Sequence, residues 1–338
     1  MTLEERIQVL SQLGKLISDF DNEEVQKAIT QAHRENQWFI PNNSKSAIQS
    51  ISDKFLQADK LRAWISEYEI GTKEQKKVGL VLAGNIPLVG FHDVLSTFIC
   101  GNHSVIKTSS KDDSLIKMIL NKMAMLEPRT RSYFSITERL SGFDAVIATG
   151  SNNTAKHFEY YFRDYPKIIR KNRVSVAVVD DNTDEDALKN LGKDVFEYFG
   201  LGCRNVSKIF VPDTFNLDRL FESFFEFQDI IHHNKYKNNY DYNEAIWLMG
   251  QDDFLTNGFL HLKEEKSLYS RIGSLYYERY NQINEVIDRI EEDKENIQCI
   301  STDVHLENLK TIPLGSCQSP ELDDYADNVN TIEFLLNL

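Results

Sequence analysis

This sequence is short of cysteine, of basic charge and of long apolar runs, and each shortage excludes a class of protein. Its 338 residues hold four cysteines, Cys100, Cys203, Cys299 and Cys317. They form no C-x-x-C and do not pair with histidine at ligand spacing, which argues against a zinc framework or a disulfide scaffold and fits a reduced compartment. His232 and His233 are adjacent, so a regular element cannot turn both to one site. No third ligand stands at metal spacing, and no metal is expected. Lys and Arg total 38 against 52 Asp and Glu, a net charge of −14. That balance disfavours a nucleic-acid surface or a basic membrane anchor, so an anionic ligand must be held by a local pocket. No apolar run is long enough to span a membrane. The opening MTLEERIQVLSQLGKL is charged and amphipathic, unlike a signal peptide, and a cytoplasmic protein is the expectation. There is no G-x-G-x-x-G, so the usual dinucleotide fingerprint is missing. Internal repeats and low-complexity tracts are absent as well.

What is present is an ordinary globular composition, 41% hydrophobic and 27% charged, in a chain long enough for two domains. Apolar spacing predicts helices over 3–20, 23–35, 46–57 (capped from Asn42-Asn43-Ser44) and 60–68. Trp38 and Phe39 fall in a loop, read as packing or as a ligand entrance, and 71–77 is a charged connector. From Val78 the rhythm becomes strand, turn, helix. Strands are expected at 78–83, 103–108, 143–148, 174–179 and 206–211, with helices at 88–100, 112–125, 154–162 and 184–198 between them. This alternation implies an α/β fold with a mostly parallel sheet and ligands at the carboxyl ends of its strands. Beyond Pro212, helices are expected at 217–227, 263–274 and 284–292. The stretch His232–Asn243 reads as a substrate-facing, interface or plain surface loop. The tail 312–338 reads as a turn, an acidic stretch and an apolar end.

The junction Phe199-Gly200-Leu201-Gly202-Cys203-Arg204-Asn205 lies between a helix-like and a strand-like run. Its glycines let the backbone turn tightly and a carbonyl approach the sulfur, a good setting for a nucleophile. A small buried hydrophobe is the competing reading of a lone cysteine. Three small-residue turns fall at strand ends: Gly84-Asn85, Lys107-Thr108-Ser109-Ser110 and Gly150-Ser151. Each could offer backbone N–H groups to a phosphate, and each alone is a weak signal.

In order, Asn85 in GNIP, Lys107 in IKTSS, Gly150-Ser151 in ATGS and Cys203 in GLGCRN resemble the aldehyde dehydrogenase superfamily. AGNIPLVGFHD, IKTSSKD, the Lys235–Asn243 stretch and the DYAD tail are similar to the long-chain acyl-CoA reductase family of bacterial luminescence. The resemblance runs from about Trp38 to the end of the chain. It implies an aldehyde dehydrogenase-like fold: N-terminal helices and a Rossmann-like cofactor domain over 1–172, and an α/β catalytic domain over 173–318. The tail 319–338 would then return to the cofactor domain or to a homo-oligomer interface. It implies catalytic Cys203 and Asn85, the latter an oxyanion donor, with Lys107, Ser109, Ser110, Gly150 and Ser151 holding NADP(H). The activity implied is NADPH-dependent reduction of a fatty acyl-CoA, or another activated acyl donor, to the aldehyde through an acyl-enzyme on Cys203. NADPH is expected because the adenosine-ribose glutamate of NAD-using aldehyde dehydrogenases is here Ser110, followed by Lys111; the alternative is that Lys111 points to solvent and Asp112 or Asp113 takes that glutamate's place. Hydrolytic relatives carry a Glu-Leu-Gly-Gly-Lys base where this sequence has Ile168–Ser175 without a carboxylate, so water is a poor acceptor unless Glu159 or Asp180 reaches the site. The helix dipole before Cys203 disfavours a thiolate, which leaves Arg204 or backbone donors to activate it. Lys167, Arg170, Lys171 and Arg173 read either as phosphate ligands or as an exposed basic turn. The alternatives are an acyl-phosphate reductase, a hydrolytic aldehyde dehydrogenase, or a non-catalytic acyl-binding subunit.

Overall fold

The computed structural model describes residues 1–71 and 74–338; Thr72 and Lys73, within the expected connector, lie outside the described residues. The chain divides into two compact units, Met1–Asn172 with Pro320–Leu338, and Arg173–Ser319.

The first unit opens with helices α1 (Leu3–Ile17), α2 (Glu23–Glu35), α3 (Pro41–Phe55) and α4 (Ala58–Ile65). A capping box starts α1: Thr2 Oγ1 accepts from the Glu5 N–H at 3.2 Å and the Glu5 carboxylate accepts from the Thr2 N–H at 2.6 Å. Helix α3 corrects the expected cap at 42–44. It starts at Pro41, whose missing N–H is harmless in a first turn, and takes those residues inside. Phe39 is fully buried in the core beneath these helices, which makes it packing.

There follow β1 (Lys77–Val81), α5 (Phe91–Ile99), β2 (His103–Lys107), α6 (Ser114–Leu126), β3 (Phe134–Ile136), β4 (Ala145–Thr149), α7 (Asn152–Tyr161) and β5 (Lys167–Arg170). The five strands form one parallel sheet in the order β3-β2-β1-β4-β5. Register sets Val81 beside Lys107 and Ala148. The turns after β1, β2 and β4 therefore leave the sheet along one edge. Strands β3 and β5 are too short and too polar to stand out by alternation.

The second unit contains β6 (Val174–Val178), α8 (Glu185–Phe196), β7 (Val206–Pro212), α9 (Asp218–Ser223), α10 (Asn234–Gly250), β8 (Leu255–Thr256), β9 (His261–Glu264), β10 (Ser274–Tyr280), α11 (Ile283–Glu292) and β11 (Ile297–Thr302). Its sheet runs β11-β6-β7-β10-β9-β8, parallel except for the β8–β9 pair. Two expectations fail here. The stretch 232–243 is not a loop: His232 ends a 3-10 helix, His233 caps α10, and the remainder is the first part of α10. His233 accepts the Tyr236 N–H, Lys237 pairs with Asp241 at 2.9 Å, and Tyr236, Tyr240, Asn243 and Trp247 form its buried face. That face is aromatic and amide rather than aliphatic, so its period is hard to see. The expected helix 263–274 is instead the end of β9 and a turn closed by Gly273 at φ +81°. Buried Leu260 and Leu262 point to a strand, while the charges after them mimic helical spacing.

The chain then rejoins the first unit, ending in α12 (Thr331–Leu336), which buries Ile332 and Leu335. Tyr325 OH accepts from Trp64 Nε1 at 2.8 Å, His92 Nε2 meets the Leu322 carbonyl at 2.9 Å, and Glu321 pairs with Lys54 and Lys60.

Candidate active site

At the carboxyl edge of the first sheet, the Leu82 N–H still bonds the Lys107 carbonyl at 3.1 Å, and the chain then turns through Gly84-Asn85-Ile86-Pro87-Leu88. Gly84 is required by close approach: a Cβ there would stand 2.4 Å from Ser109 Oγ. The turns after β1 and β2 are thus in contact. Asn85, Lys107 and Ser110 are exposed on this edge. The Ser109 hydroxyl is engaged locally, accepting from the Lys111 N–H at 3.2 Å. After β4, the Gly150 N–H bonds the Arg170 carbonyl at 3.2 Å, and Ser151 caps α7 by accepting the Thr154 N–H at 3.3 Å. The strand order reverses between β1 and β4, so Gly84-Asn85 and Gly150-Ser151 flank a topological switch point, where α/β sheets bind nucleotides. One lysine, exposed hydroxyls and the N-terminus of α7 suit a phosphate-bearing cofactor there.

Leu88 holds φ +57°, a left-handed conformation unfavourable for a γ-branched side chain and worth about 1–3 kcal/mol of strain. Its N–H donates to Asp112 Oδ2 at 2.7 Å. Asp112 is 5% exposed, and its Oδ1 has no hydrogen-bond partner among the described residues. Burial pushes this carboxyl up to about 7; the Leu88 N–H opposes the shift, and Glu35 and Asp113 add to it.

Cys203 is placed differently. It lies in the second unit, before the first residue of β7 and hence at the amino edge of a sheet whose β6, β7 and β11 are parallel. Helix α8, capped by Asp184, ends at Phe196. Tyr198, Phe199 and Gly200 then all take positive φ, at +52°, +59° and +76°. This excursion separates Cys203 from the helix end. In the orientation its surroundings dictate, the Asn205 amide nitrogen donates to the carbonyls of Asp194 (3.1 Å) and Val195 (2.7 Å), satisfying groups at the end of α8. Ser175 Oγ donates to the Cys203 carbonyl at 3.2 Å, tying the junction to β6. Cys203 is half-buried.

Cys100 and Cys317 are poorly placed for thiolate chemistry. Burial pushes the Cys100 thiol up to about 12. Cys317 is fully buried and raised, first by its hydrogen bond to Cys299 and then by burial. Cys299 is buried and receives a hydrogen bond from Arg204 Nη1 at 3.2 Å. Arg204, expected as an activator of Cys203, thus donates to the Cys299 sulfur.

The sequence profile of the acyl-CoA reductase (LuxC) family matches residues 49–225, which include every candidate residue named above. The chain belongs to the acyl-CoA reductase (LuxC) family. A curated relative of this acyl-CoA reductase family member, long-chain acyl-protein thioester reductase 2 of Photobacterium leiognathi, is 27% identical over 278 residues. The match covers 72% of this chain and only 58% of the relative's length. Among solved structures, aldehyde dehydrogenase 21 of Physcomitrella patens, crystallised with succinate, matches with a TM-score of 0.74 at 12% identity. It covers all of this chain and 84% of that one. The P. syringae indole-3-acetaldehyde dehydrogenase AldA, crystallised as a cysteine-to-alanine mutant with NAD+ and IAA, gives 0.65 at 12% identity, covering 89% and 72%. The fold is aldehyde dehydrogenase-like.

In this family member Arg170 is neither a phosphate ligand nor part of an exposed turn, although Lys171 beside it is exposed. Arg170 closes β5, is 6% exposed, and donates to Asp93 at 2.6 Å and Thr331 at 3.0 Å. Arg173 donates to the Ile297 carbonyl at 3.3 Å. Asp180 is taken up by its own turn, accepting from the Asn182 and Thr183 N–H groups, and Glu159 is exposed on α7. Sequence reasoning weighed Asp112 only as a carboxylate for the cofactor ribose, and it missed the non-glycine left-handed residues Leu88, Tyr198 and Phe199, and Glu197. Glu197 is the carboxyl nearest to Cys203 in sequence, pushed up to about 6 by burial and by Asp194. Only Gly200 announced the excursion.

Proposed function

We propose that this chain reduces a fatty acyl thioester to the aldehyde, with Cys203 as nucleophile and NADPH as reductant. The observation that carries the reading is the family match over 49–225, which ends just beyond a half-buried cysteine on an αβ junction. The Cys203 sulfur attacks the thioester carbonyl, the donor thiol leaves, and an acyl-enzyme forms. The oxyanion is assigned to the Asn85 amide and the Cys203 N–H, each worth about 3 kcal/mol. Lys107, Ser110, Gly150 and Ser151, on one sheet edge, would hold the cofactor, which supplies hydride when bound. Ser110 and Lys111, both exposed, leave room and positive charge for a 2′-phosphate where a carboxylate would repel it. No carboxylate in 168–175 stands ready to activate water, so the acyl group waits for hydride or a thiol.

A second reading is favoured by the relative's name: the acyl donor is a protein thioester rather than CoA. An anaerobic assay with dodecanoyl-CoA and with the same acyl group on a carrier-protein thiol, each with NADPH and NADH, tests both readings. Aldehyde with NADPH from either donor supports the function, and the better kcat/KM identifies the donor. No aldehyde from either donor contradicts it.

A further inference from the structure

We propose that Asp112 is a positioning residue for acyl reduction: its carboxylate clamps the Gly84–Leu88 turn and thereby aims Asn85. The inference rests on the reading of Asn85 as oxyanion donor.

The turn is gripped at both ends by groups outside it. At its start, the Gly84 carbonyl accepts from Asn36 Nδ2 at 3.4 Å, and the Ser109 side chain sits where a Cβ on Gly84 would be. At its end, the Leu88 N–H is held by Asp112 at 2.7 Å, and the Leu88 carbonyl accepts the Phe91 N–H at 2.9 Å as α5 begins. Asn85 lies between these grips on five residues of backbone, so the direction of its amide follows the φ and ψ they impose. Leu88 at φ +57° is the least natural of these conformations. It is not glycine, it follows proline, and its side chain is 4% exposed in the core. Without an acceptor for its N–H, an L-residue there has every reason to relax to negative φ, which would swing the turn.

A carboxylate is a costly choice for that acceptor, which is the second part of the argument. Asp112 is buried and, among the described residues, faces no cation. Its charged neighbours are Glu35 of α2 and Asp113 of its own turn. Those acids are occupied elsewhere: Glu35 accepts from Ser114, and Asp113 binds Thr108 and Lys117. An apolar residue would pack this position more cheaply if packing were all it did. The one bond Asp112 makes through its side chain, among the described residues, is to Leu88. A bond holding a strained turn beneath an oxyanion donor is what preorganisation requires, since donors act only at the position where charge develops.

The test uses the full chain, dodecanoyl-CoA and NADPH, and measures kcat and KM for Asp112→Ala, Asp112→Asn, Asn85→Ala and the double Asn85→Ala/Asp112→Ala. Misplacing a donor by about 1 Å can cost up to about 100-fold, so Asp112→Ala is expected to lower kcat by about 10- to 100-fold with KM for the acyl donor nearly unchanged. Asp112→Asn keeps an oxygen for the Leu88 N–H and should stay within about threefold of wild type. In the Asn85→Ala background, Asp112→Ala should have no further effect, because nothing remains to be aimed. Wild-type kcat in Asp112→Ala, or a loss that multiplies fully with that of Asn85→Ala, overturns the inference and leaves the role of Asn85 intact. Unchanged kcat in Asn85→Ala overturns the reading of Asn85, and the inference with it. If Asp112→Ala does not fold, Asp112→Ser, too short to reach Leu88, is read in its place against the same outcomes.

Discussion

The two sheets present chemistry from opposite ends. In the first unit the candidate residues follow β1, β2 and β4 and lie along the carboxyl edge. In the second, Cys203 precedes β7 and lies at the amino edge, reached through three consecutive left-handed residues. Strand ends give breadth, with several loops lined up by register to cover an extended cofactor. An αβ junction bent by strain gives one side chain a fixed place. Under the proposed function the first unit supplies the cofactor edge and Asn85, the second supplies the nucleophile, and each role can be broken separately.

The largest effect is expected at the cysteine. Cys203→Ala should abolish acylation by dodecanoyl-CoA, while Cys299→Ala and Cys317→Ala still acylate; intact mass after incubation with the acyl donor reads this directly. An adduct on the Cys203→Ala protein would move the nucleophile to another residue.

In the first unit, the largest effect expected is on stability. Arg170→Met leaves Asp93 buried without its 2.6 Å partner and should cost about 3–5 kcal/mol in denaturant unfolding. Arg170→Met/Asp93→Leu should recover most of that loss, since no uncompensated charge remains. A loss in the single variant that the double does not recover would mean Arg170 does more than neutralise Asp93.

Asn85→Ala should lower kcat by about 10²–10³-fold, about 3–4 kcal/mol, with little change in KM. A change in KM alone would move Asn85 from transition-state stabilisation to ground-state binding.

The smallest effect is pH-dependent. The Asp112 carboxyl is raised to about 7, above its unfolded value near 4. Between these values the folded chain keeps a proton that the unfolded chain releases. Stability from this group is therefore fully present below about pH 4 and is lost as pH rises through about 7, on the order of 1 kcal/mol per pH unit. Urea unfolding of wild type and Asp112→Asn at pH 5 and pH 8 should show the wild type losing more than the variant on going to pH 8. Parallel losses would mean that Asp112 does not titrate in this range.

What was legible divides along the same line. The first sheet could be read because β1, β2 and β4 are continuous apolar runs ending in glycine, serine or asparagine turns, which are also the proposed cofactor edge. The junction at Cys203 was found as a place but not as a geometry. Tyr198 and Phe199 have no local reason to be left-handed; the Asn205 amide and the contact of Phe199 with His233, ring centroids 4.3 Å apart, accompany that conformation from elsewhere in the fold. Helix α10 hid because its buried face is built of Tyr236, Tyr240, Asn243 and Trp247, which give no aliphatic period among the surrounding asparagines and lysines. Arg170 looked like a surface cation because its partners, Asp93 and Thr331, are 77 and 161 residues away.

The central claim is that Cys203 carries an acyl group that water does not remove. Its most direct test is to mix the protein with dodecanoyl-CoA in the absence of NADPH and follow intact mass over time, with peptide mapping of the adduct. The account predicts a long-lived acyl adduct on the Cys203 peptide, discharged as thioester by added CoA and as aldehyde by NADPH. Rapid release of free fatty acid would contradict it. That result would require a base within reach of the thioester, with Glu197 the first carboxyl to replace, and would make the chain hydrolytic.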